Sequence, residues 1–205
     1  MLFAHANAAL AAPAFLRAGN ATAWPIPGFP GPLLIEVRRF ADARGAFAET
    51  YNPRDFAALG LPDAFVQDNW SRSDQAGTVR GLHFQRPPRA QAKLVRVLRG
   101  AILDVAVDLR RASPTYGQHV AVELEEGDGR MFYVPEGFAH GFCTRRPMTE
   151  IAYKVTDLYA PDCDAGIAWD DPELGIAWPV APQAAVLSDK DARLPRLRDL
   201  PPVFD

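Results

Sequence analysis

The chain has 205 residues, of which 48% are hydrophobic and 23% charged, and a formal net charge of -3. That length and apolar content suit one large domain with a substantial core, or one domain with terminal extensions. The mild charge without a basic stripe argues against nucleic acid as a partner, and no apolar run of about 18 residues offers a membrane span. The two cysteines, Cys143 and Cys163, are too few for a disulfide framework and lack CxxC spacing. Quiet thiols in a reducing cytoplasm are the expectation.

Residues 1–32 are alanine-rich and then interrupted by Pro25, Pro27, Pro30 and Pro32. They lack the basic start of a signal peptide, and Arg17 falls where such a peptide stays apolar. A short helix or coil followed by a proline-stiffened linker is expected there; a start codon placed too far upstream would leave the same signature. From Leu33 onward the pattern is β. "LLIEVRRF" and "AFAETYN" come first, then one helix at "PRDFAALG", with Asn52 as its cap, Pro53 at its first position and Gly60 past its end. "TVRGLHFQ", "KLVRVLRG", "AILDVAVDLR", "QHVAVELE", "RMFYVPEG" and "TEIAYKV" follow, rich in β-branched and aromatic residues and bounded by Gly, Pro or charged turns. Alternation in the third of these places Ile102, Asp104, Ala106 and Asp108 on one face and Leu103, Val105, Val107 and Leu109 on the other. "LSDKDARLPRL" reads as the start of a second helix, capped by Ser188. So many short strands predict a mainly β sandwich or small barrel with a few short helices, spanning 33–205 behind the extension 1–32.

Three of the four histidines, His83, His119 and His140, lie in the β region. A histidine among apolar neighbours, as His83 is in "VRGLHFQ", is most often a hydrogen-bonded core residue, so other motifs must decide its role. "GRMFYVPEGFAH" spaces Gly129, Pro135, Gly137 and His140 as in the second motif of the cupins, whose turn aims the histidine into a barrel. Gly77 and His83 resemble the start of the first cupin motif. Where a metal-binding cupin would continue with a histidine and a glutamate, this chain has Gln85 and Lys93. An ammonium has no lone pair for a metal and repels it, which disfavours a metal-dependent dioxygenase. An imidazole with an ammonium nearby suits proton abstraction next to a carbonyl instead, the cation stabilising the oxyanion.

Longer stretches are more specific: "ADARGAFAETYN", "FVQDNWSRS", "VRGLHFQ", "AKLVRVLRGAILDVAVDLRRASPTYGQ", "VPEGFAHGF", "IAYKVTDLYAP" and "IAWDDPELGIAWP" occur in this order. Together they resemble the dTDP-4-dehydrorhamnose 3,5-epimerases, over roughly Leu33 to Asp205. The resemblance implies a cupin-type jelly-roll barrel, a homodimer, and inversion of C3 and C5 of dTDP-4-dehydro-6-deoxy-D-glucose in dTDP-rhamnose synthesis, with no metal or organic cofactor. Its position-by-position match makes His83 the base, Asp191 the carboxylate supporting the imidazole, Lys93 the cation at the ketone oxygen, and Tyr153 the acid on the opposite face. Arg44, Glu49, Gln67, Asp68, Asn69, Arg80 and Lys190 match ligand contacts, Tyr159 an aromatic beside the nucleotide, and His140 a contact to the sugar.

Departures are few. Trp70 stands where the family often has histidine, and Asp164 where many relatives have a ligand-contacting glutamate. These bear on which sugar substituents are tolerated and whether both centres invert. A 3- or 5-mono-epimerase or ketoisomerase on a related dTDP-hexose is the rival enzyme; a non-catalytic nucleotide-sugar-binding cupin is the rival from another class. The two-faced set of His83, Asp191, Lys93 and Tyr153 speaks against the latter, since binding alone needs no acid–base pair.

Overall fold

The computed structural model describes residues 15–62 and 64–205, and β-strands dominate them. In chain order they are β1 (Leu16–Ala18), β2 (Ala21–Pro25), β3 (Leu33–Val37), β4 (Arg39–Asp42), β5 (Gly45–Ala48), β6 (Gln67–Ser73) and β7 (Val79–Gln85). After them come β8 (Lys93–Arg99), β9 (Ala101–Asp108), β10 (His119–Glu125), β11 (Arg130–Val134), β12 (Phe138–Thr144), β13 (Thr149–Val155) and β14 (Asp164–Gly166). The helix α1 (Pro53–Ala58) separates β5 from β6.

Two antiparallel sheets stack face to face. The larger has the order β1-β2-β3-β11-β8-β13-β6, the smaller β10-β9-β12-β7-β14, while β4 and β5 form a separate two-stranded pair among the described residues. Strands distant in sequence are neighbours, as in the register from Phe138↔Asp108 to Thr144↔Ile102. This is the expected cupin-type jelly roll. Ile102 and Ala106 of β9 meet Val95, Phe132, Phe142 and Ile151 between the sheets. The opposite face of β9, Val105, Val107 and Leu109, packs on Leu82, Phe84 and Ile167 beneath the C-terminal segment. The smaller sheet is thus covered on both sides, and full burial of a side chain such as Phe132 or Ile102 contributes about 1.5–3 kcal/mol.

The helix forms as its residues dictate. Asn52 is extended (φ -144°, ψ 115°) and its Oδ1 accepts from the Arg54 amide at 3.1 Å, ahead of Pro53. Its apolar side, Phe56 with Leu59 beyond its end, packs on Ile35, Val37 and Met131, on the outer face of the larger sheet.

Two expectations differ from the structure. Residues 16–25, read as coil or linker, are a hairpin whose second strand pairs with β3 from Ala21↔Val37 to Pro25↔Leu33, so the sheet begins before Leu33. Ala21 and Ala23 are small enough to sit buried in the core, and Pro25 lies beyond the residues paired with β1, where a missing N–H costs no ladder bond on that side. The helix or coil expected at the very start falls mostly outside the described residues. The second helix is a single 3-10 turn, Asp191–Arg193, which ends because Leu194 is forced extended (ψ 143°) before Pro195. Cys143 is buried, Cys163 partly exposed, and both are free thiols.

Candidate active site

A cavity of about 450 Å³ opens between the sheets. Arg80 and His83 reach it from β7, His140 from β12, Lys93 from β8, Tyr153 from β13, and Lys190 and Asp191 from the C-terminal segment. A second lobe of about 340 Å³ shares His83, Lys93, Tyr153 and Lys190 and adds Gln67, Asn69, Tyr159 and Asp164. Because β7 and β13 belong to different sheets, His83 and Tyr153 enter one cleft from opposing walls.

Arg80 and His83 are three apart, a spacing that strict alternation would send to opposite faces. The register against β12 shifts between His140↔His83 and Phe142↔Arg80, so β7 carries an extra residue there and both side chains line the cavity. Gly81 makes this fit possible. Its φ is +119°, and a Cβ would lie 2.7 Å from the His140 carbonyl oxygen and the Gly141 Cα.

His83 Nε2 lies 2.6 Å from Asp191 Oδ1, and the Gly81 amide donates to Asp191 Oδ2 at 3.3 Å. With the Nε2 hydrogen held by a carboxylate, Nδ1 carries the lone pair, so the network assigns the tautomer. Asp191 is itself placed by Ser188, whose Oγ accepts the Asp191 amide hydrogen at 3.1 Å. Burial works to raise the Asp191 pKa, but the hydrogen bond and charge of His83, with Gly81 and Ser188, hold the carboxyl below its ordinary value.

Lys93 is buried and its Nζ donates to the His83 carbonyl at 3.1 Å. Burial pulls its pKa from 10.5 down to about 8; Asp104 and Asp164 oppose that fall and Lys190 adds to it. Burial pushes the Tyr153 phenol above 10, with Arg80 opposing, so it is a proton donor at neutral pH. Arg80 is braced by Ser73 Oγ at 3.2 Å and the Arg72 carbonyl at 3.0 Å. His140 Nε2 lies 2.7 Å from Asp104 Oδ1, and burial keeps this imidazole below 6.5 despite the carboxylate. In the second lobe the Tyr159 hydroxyl donates to Asp164 Oδ2 at 3.2 Å, and Asp164 is ion-paired with Lys190.

The structure therefore brings together His83, Asp191, Lys93, Tyr153, Arg80, His140, Lys190, Gln67, Asn69, Tyr159 and Asp164. Three other expected contacts lie elsewhere. Arg44 sits in the β4–β5 turn, paired with Asp42 at 2.6 Å and with its side chain 89% exposed. Glu49 accepts from Asn52 Nδ2 at 3.3 Å. Asp68 pairs with Lys154 at 2.7 Å beside Trp70, in a separate cleft. Two further residues of the site carry no role from the sequence alone, Asp104 behind His140 and Gln85. Asp104 shares the inner face of β9 with Ile102, Ala106 and Asp108, and its partner His140 comes from the neighbouring strand β12, a pairing that no local pattern shows. The cupin metal-ligand positions are both engaged within the protein, Gln85 through its amide and Lys93 through the His83 carbonyl.

Known proteins resemble this chain in sequence and in fold. The family model for dTDP-4-dehydrorhamnose 3,5-epimerase matches residues 27–199. A dTDP-4-dehydrorhamnose 3,5-epimerase of Sinorhizobium fredii is 51% identical over 171 residues, covering 83% of this chain and 87% of that protein. The crystal structure of the Bacillus anthracis enzyme with TDP and PPi bound superposes with a TM-score of 0.80 at 50% identity, over 83% of this chain and 97% of that one. A Legionella pneumophila dTDP-6-deoxy-D-glucose-3,5-epimerase in complex with dTDP-4-keto-L-rhamnose gives 0.78 at 44% identity, over 85% and 94%.

Proposed function

The chain belongs to the dTDP-4-dehydrorhamnose 3,5-epimerase family, and from that premise we propose that it inverts C3 and C5 of dTDP-4-dehydro-6-deoxy-D-glucose to give dTDP-4-dehydro-L-rhamnose. One observation carries the assignment of roles: a carboxylate-held imidazole and a protonated phenol enter one cleft from opposing sheets.

The 4-ketone makes the protons at C3 and C5 removable, because the electron pair left behind delocalises onto the ketone oxygen. His83 takes the proton, and Asp191 stabilises the imidazolium that results. The Lys93 ammonium hydrogen-bonds the enolate oxygen. Tyr153 then delivers a proton to the opposite face of the same carbon. Solvent reprotonates the phenolate and accepts the proton from His83, so the product is an isomer and no redox change occurs. Two groups are needed because a base alone would return the proton to the face it left. Carried out at C5 and at C3, the cycle gives the double inversion.

Arg80, Lys190 and Lys93 give the cleft cations for a diphosphate and an enolate, and a guanidinium suits the former by donating paired hydrogen bonds. Asn69, His140 and Asp164 offer polar contacts along the sugar and nucleotide. Tyr159, 57% exposed, presents its ring to the base. The exposed hairpin bearing Arg44 supports a homodimer. Phe47 there is 69% exposed and Phe40 40%, apolar surface that a second copy would cover while the hairpin carries Arg44 and Glu49 to its partner's cleft. A cytoplasmic enzyme fits the free thiols and the nucleotide-sugar substrate.

Incubation with dTDP-4-dehydro-6-deoxy-D-glucose in heavy water, followed by NMR of the recovered sugar, tests this reading. Deuterium at both C3 and C5 with both centres inverted is expected. Inversion at one centre would make the protein a mono-epimerase, and no exchange at either would overturn the enzymatic reading.

A further inference from the structure

Three glutamines converge on the backbone of residues 157–160, which carries Tyr159, and an arginine pairs with the Asp157 side chain. Gln85 is only 4% exposed, and its Nε2 donates to the carbonyls of Arg89 at 2.7 Å and Leu158 at 3.2 Å, while its Oε1 accepts from the Ala160 amide at 2.8 Å. Gln67 Oε1 accepts from the adjacent Tyr159 amide at 3.0 Å, and its Nε2 donates to Asn69 Oδ1 at 2.8 Å. Gln91 Nε2 donates to the Asp157 carbonyl at 2.6 Å, and the Arg89 guanidinium pairs with the Asp157 carboxylate at 2.8 Å.

Gln67 belongs to β6 of the larger sheet and Gln85 to β7 of the smaller one. Two successive N–H groups, those of Tyr159 and Ala160, are therefore tied to opposite walls of the cleft by side chains. A buried amide is costly unless its donors and acceptor are met, and here one donor and the acceptor are used on this connection while the other donor meets the Arg89 carbonyl. At the other end of the side chain, Asp164 fixes the Tyr159 hydroxyl. The exposed ring is held by both its ends.

We propose that Gln85 is a positioning residue for nucleotide binding, fixing the backbone of Tyr159 against Gln67 so that the aromatic ring stands in place before the base arrives. The proposal rests on the reading that Tyr159 packs beside the nucleotide. A prearranged ring spares the binding step the cost of ordering the loop, which places the effect in affinity rather than in chemistry.

The test is a cycle of Gln85→Met, Tyr159→Ala and the double variant, reading the dTDP Kd by calorimetry, KM and kcat by turnover, and the melting temperature of each. Gln85→Met is expected to raise both the dTDP Kd and KM roughly tenfold, with kcat changed less than about threefold. In the Tyr159→Ala background the same substitution should add nothing, because the group through which it acts is gone. Equal losses in both backgrounds would overturn the proposal while leaving the Tyr159 reading intact, as would unchanged affinity in a folded Gln85→Met. Unchanged dTDP affinity in Tyr159→Ala would overturn the stacking reading and the proposal with it. Gln85→Glu keeps the shape but loses both donors and must weaken dTDP in the same way. Should neither Gln85 variant fold, Gln67→Met, from the other sheet, must show the same dependence on Tyr159.

Discussion

Burial of Lys93 has a consequence that pH can read. Leaving water disfavours the ammonium and pulls its pKa from 10.5 to about 8, the charges of Asp104 and Asp164 offsetting only part of the effect. If the ammonium stabilises the enolate, kcat/KM falls as pH rises through about 8, since that ratio reports the free enzyme. The protonated fraction is then ~10% at pH 9 and ~1% at pH 10, whereas an ordinary lysine would still be ~97% protonated at pH 9. Tyr153 does not blur this limb, because burial pushes its phenol above 10. The same shift has a stability cost with a definite sign. A lysine whose folded pKa lies below its unfolded one stabilises the fold only at high pH, and that contribution is lost as pH falls through the folded value. The fall from 10.5 to about 8 corresponds to about 3 kcal/mol of destabilisation at pH 7. Lys93→Met should therefore lower kcat by on the order of 10²–10³-fold, abolish the alkaline limb, and raise the melting temperature at neutral pH. Initial rates at substrate well below KM, measured across pH 6 to 10.5 with thermal melts alongside, provide the assay. A limb near 10, or one near 8 that survives in Lys93→Met, would refute the reasoning.

Further outcomes follow from other groups. Asp191→Asn keeps the shape of the pair but loses the charge that supports the imidazolium, and kcat should fall by on the order of 10²–10⁴-fold with little loss of dTDP affinity. Gly81→Ala forces a Cβ against backbone at 2.7 Å and a non-glycine residue to φ +119°, which should cost roughly 3 kcal/mol or more in thermal or denaturant unfolding. Asp108 is fully buried; burial favours its neutral form, but bonds from Arg110, Ser113 and Thr115 prevail and hold its pKa below 3.8. Its stabilisation is present above that ordinary value and lost as pH falls through the lower folded one, so Asp108→Asn should melt earlier at pH 7 by about 3 kcal/mol and show a flatter decline below about pH 4.

The strands legible in the sequence are those with one apolar face or a β-branched run, such as β8, β9 and β13. β6 escaped because "QDNWSRS" has no apolar alternation: Ser71 and Asn69 face the cleft, and Trp70 lies on the outer face with its indole bonded to Glu150. β12 escaped for the opposite reason. "FAHGFCT" is buried along its whole length between β9 and β7, so no period of two is visible. His83, Lys93, Tyr153 and Asp191, singled out by motif resemblance, line one cavity although they are scattered from β7 to the C-terminal turn. The resemblance could not reveal that Arg44 and Glu49 lie outside the cleft of their own chain, nor that Gln85 bonds backbone far along the chain. Such partners are set by the packing of two sheets, and no local pattern around residue 85 or 160 encodes them.

The most direct test of the two-faced arrangement is the ratio of exchange to inversion in Tyr153→Phe, followed by NMR in heavy water. Deuterium should still enter C3 or C5 of unreacted sugar through His83, while inversion drops by on the order of 10²-fold or more. A variant that inverts both centres as fast as the wild type would contradict the account.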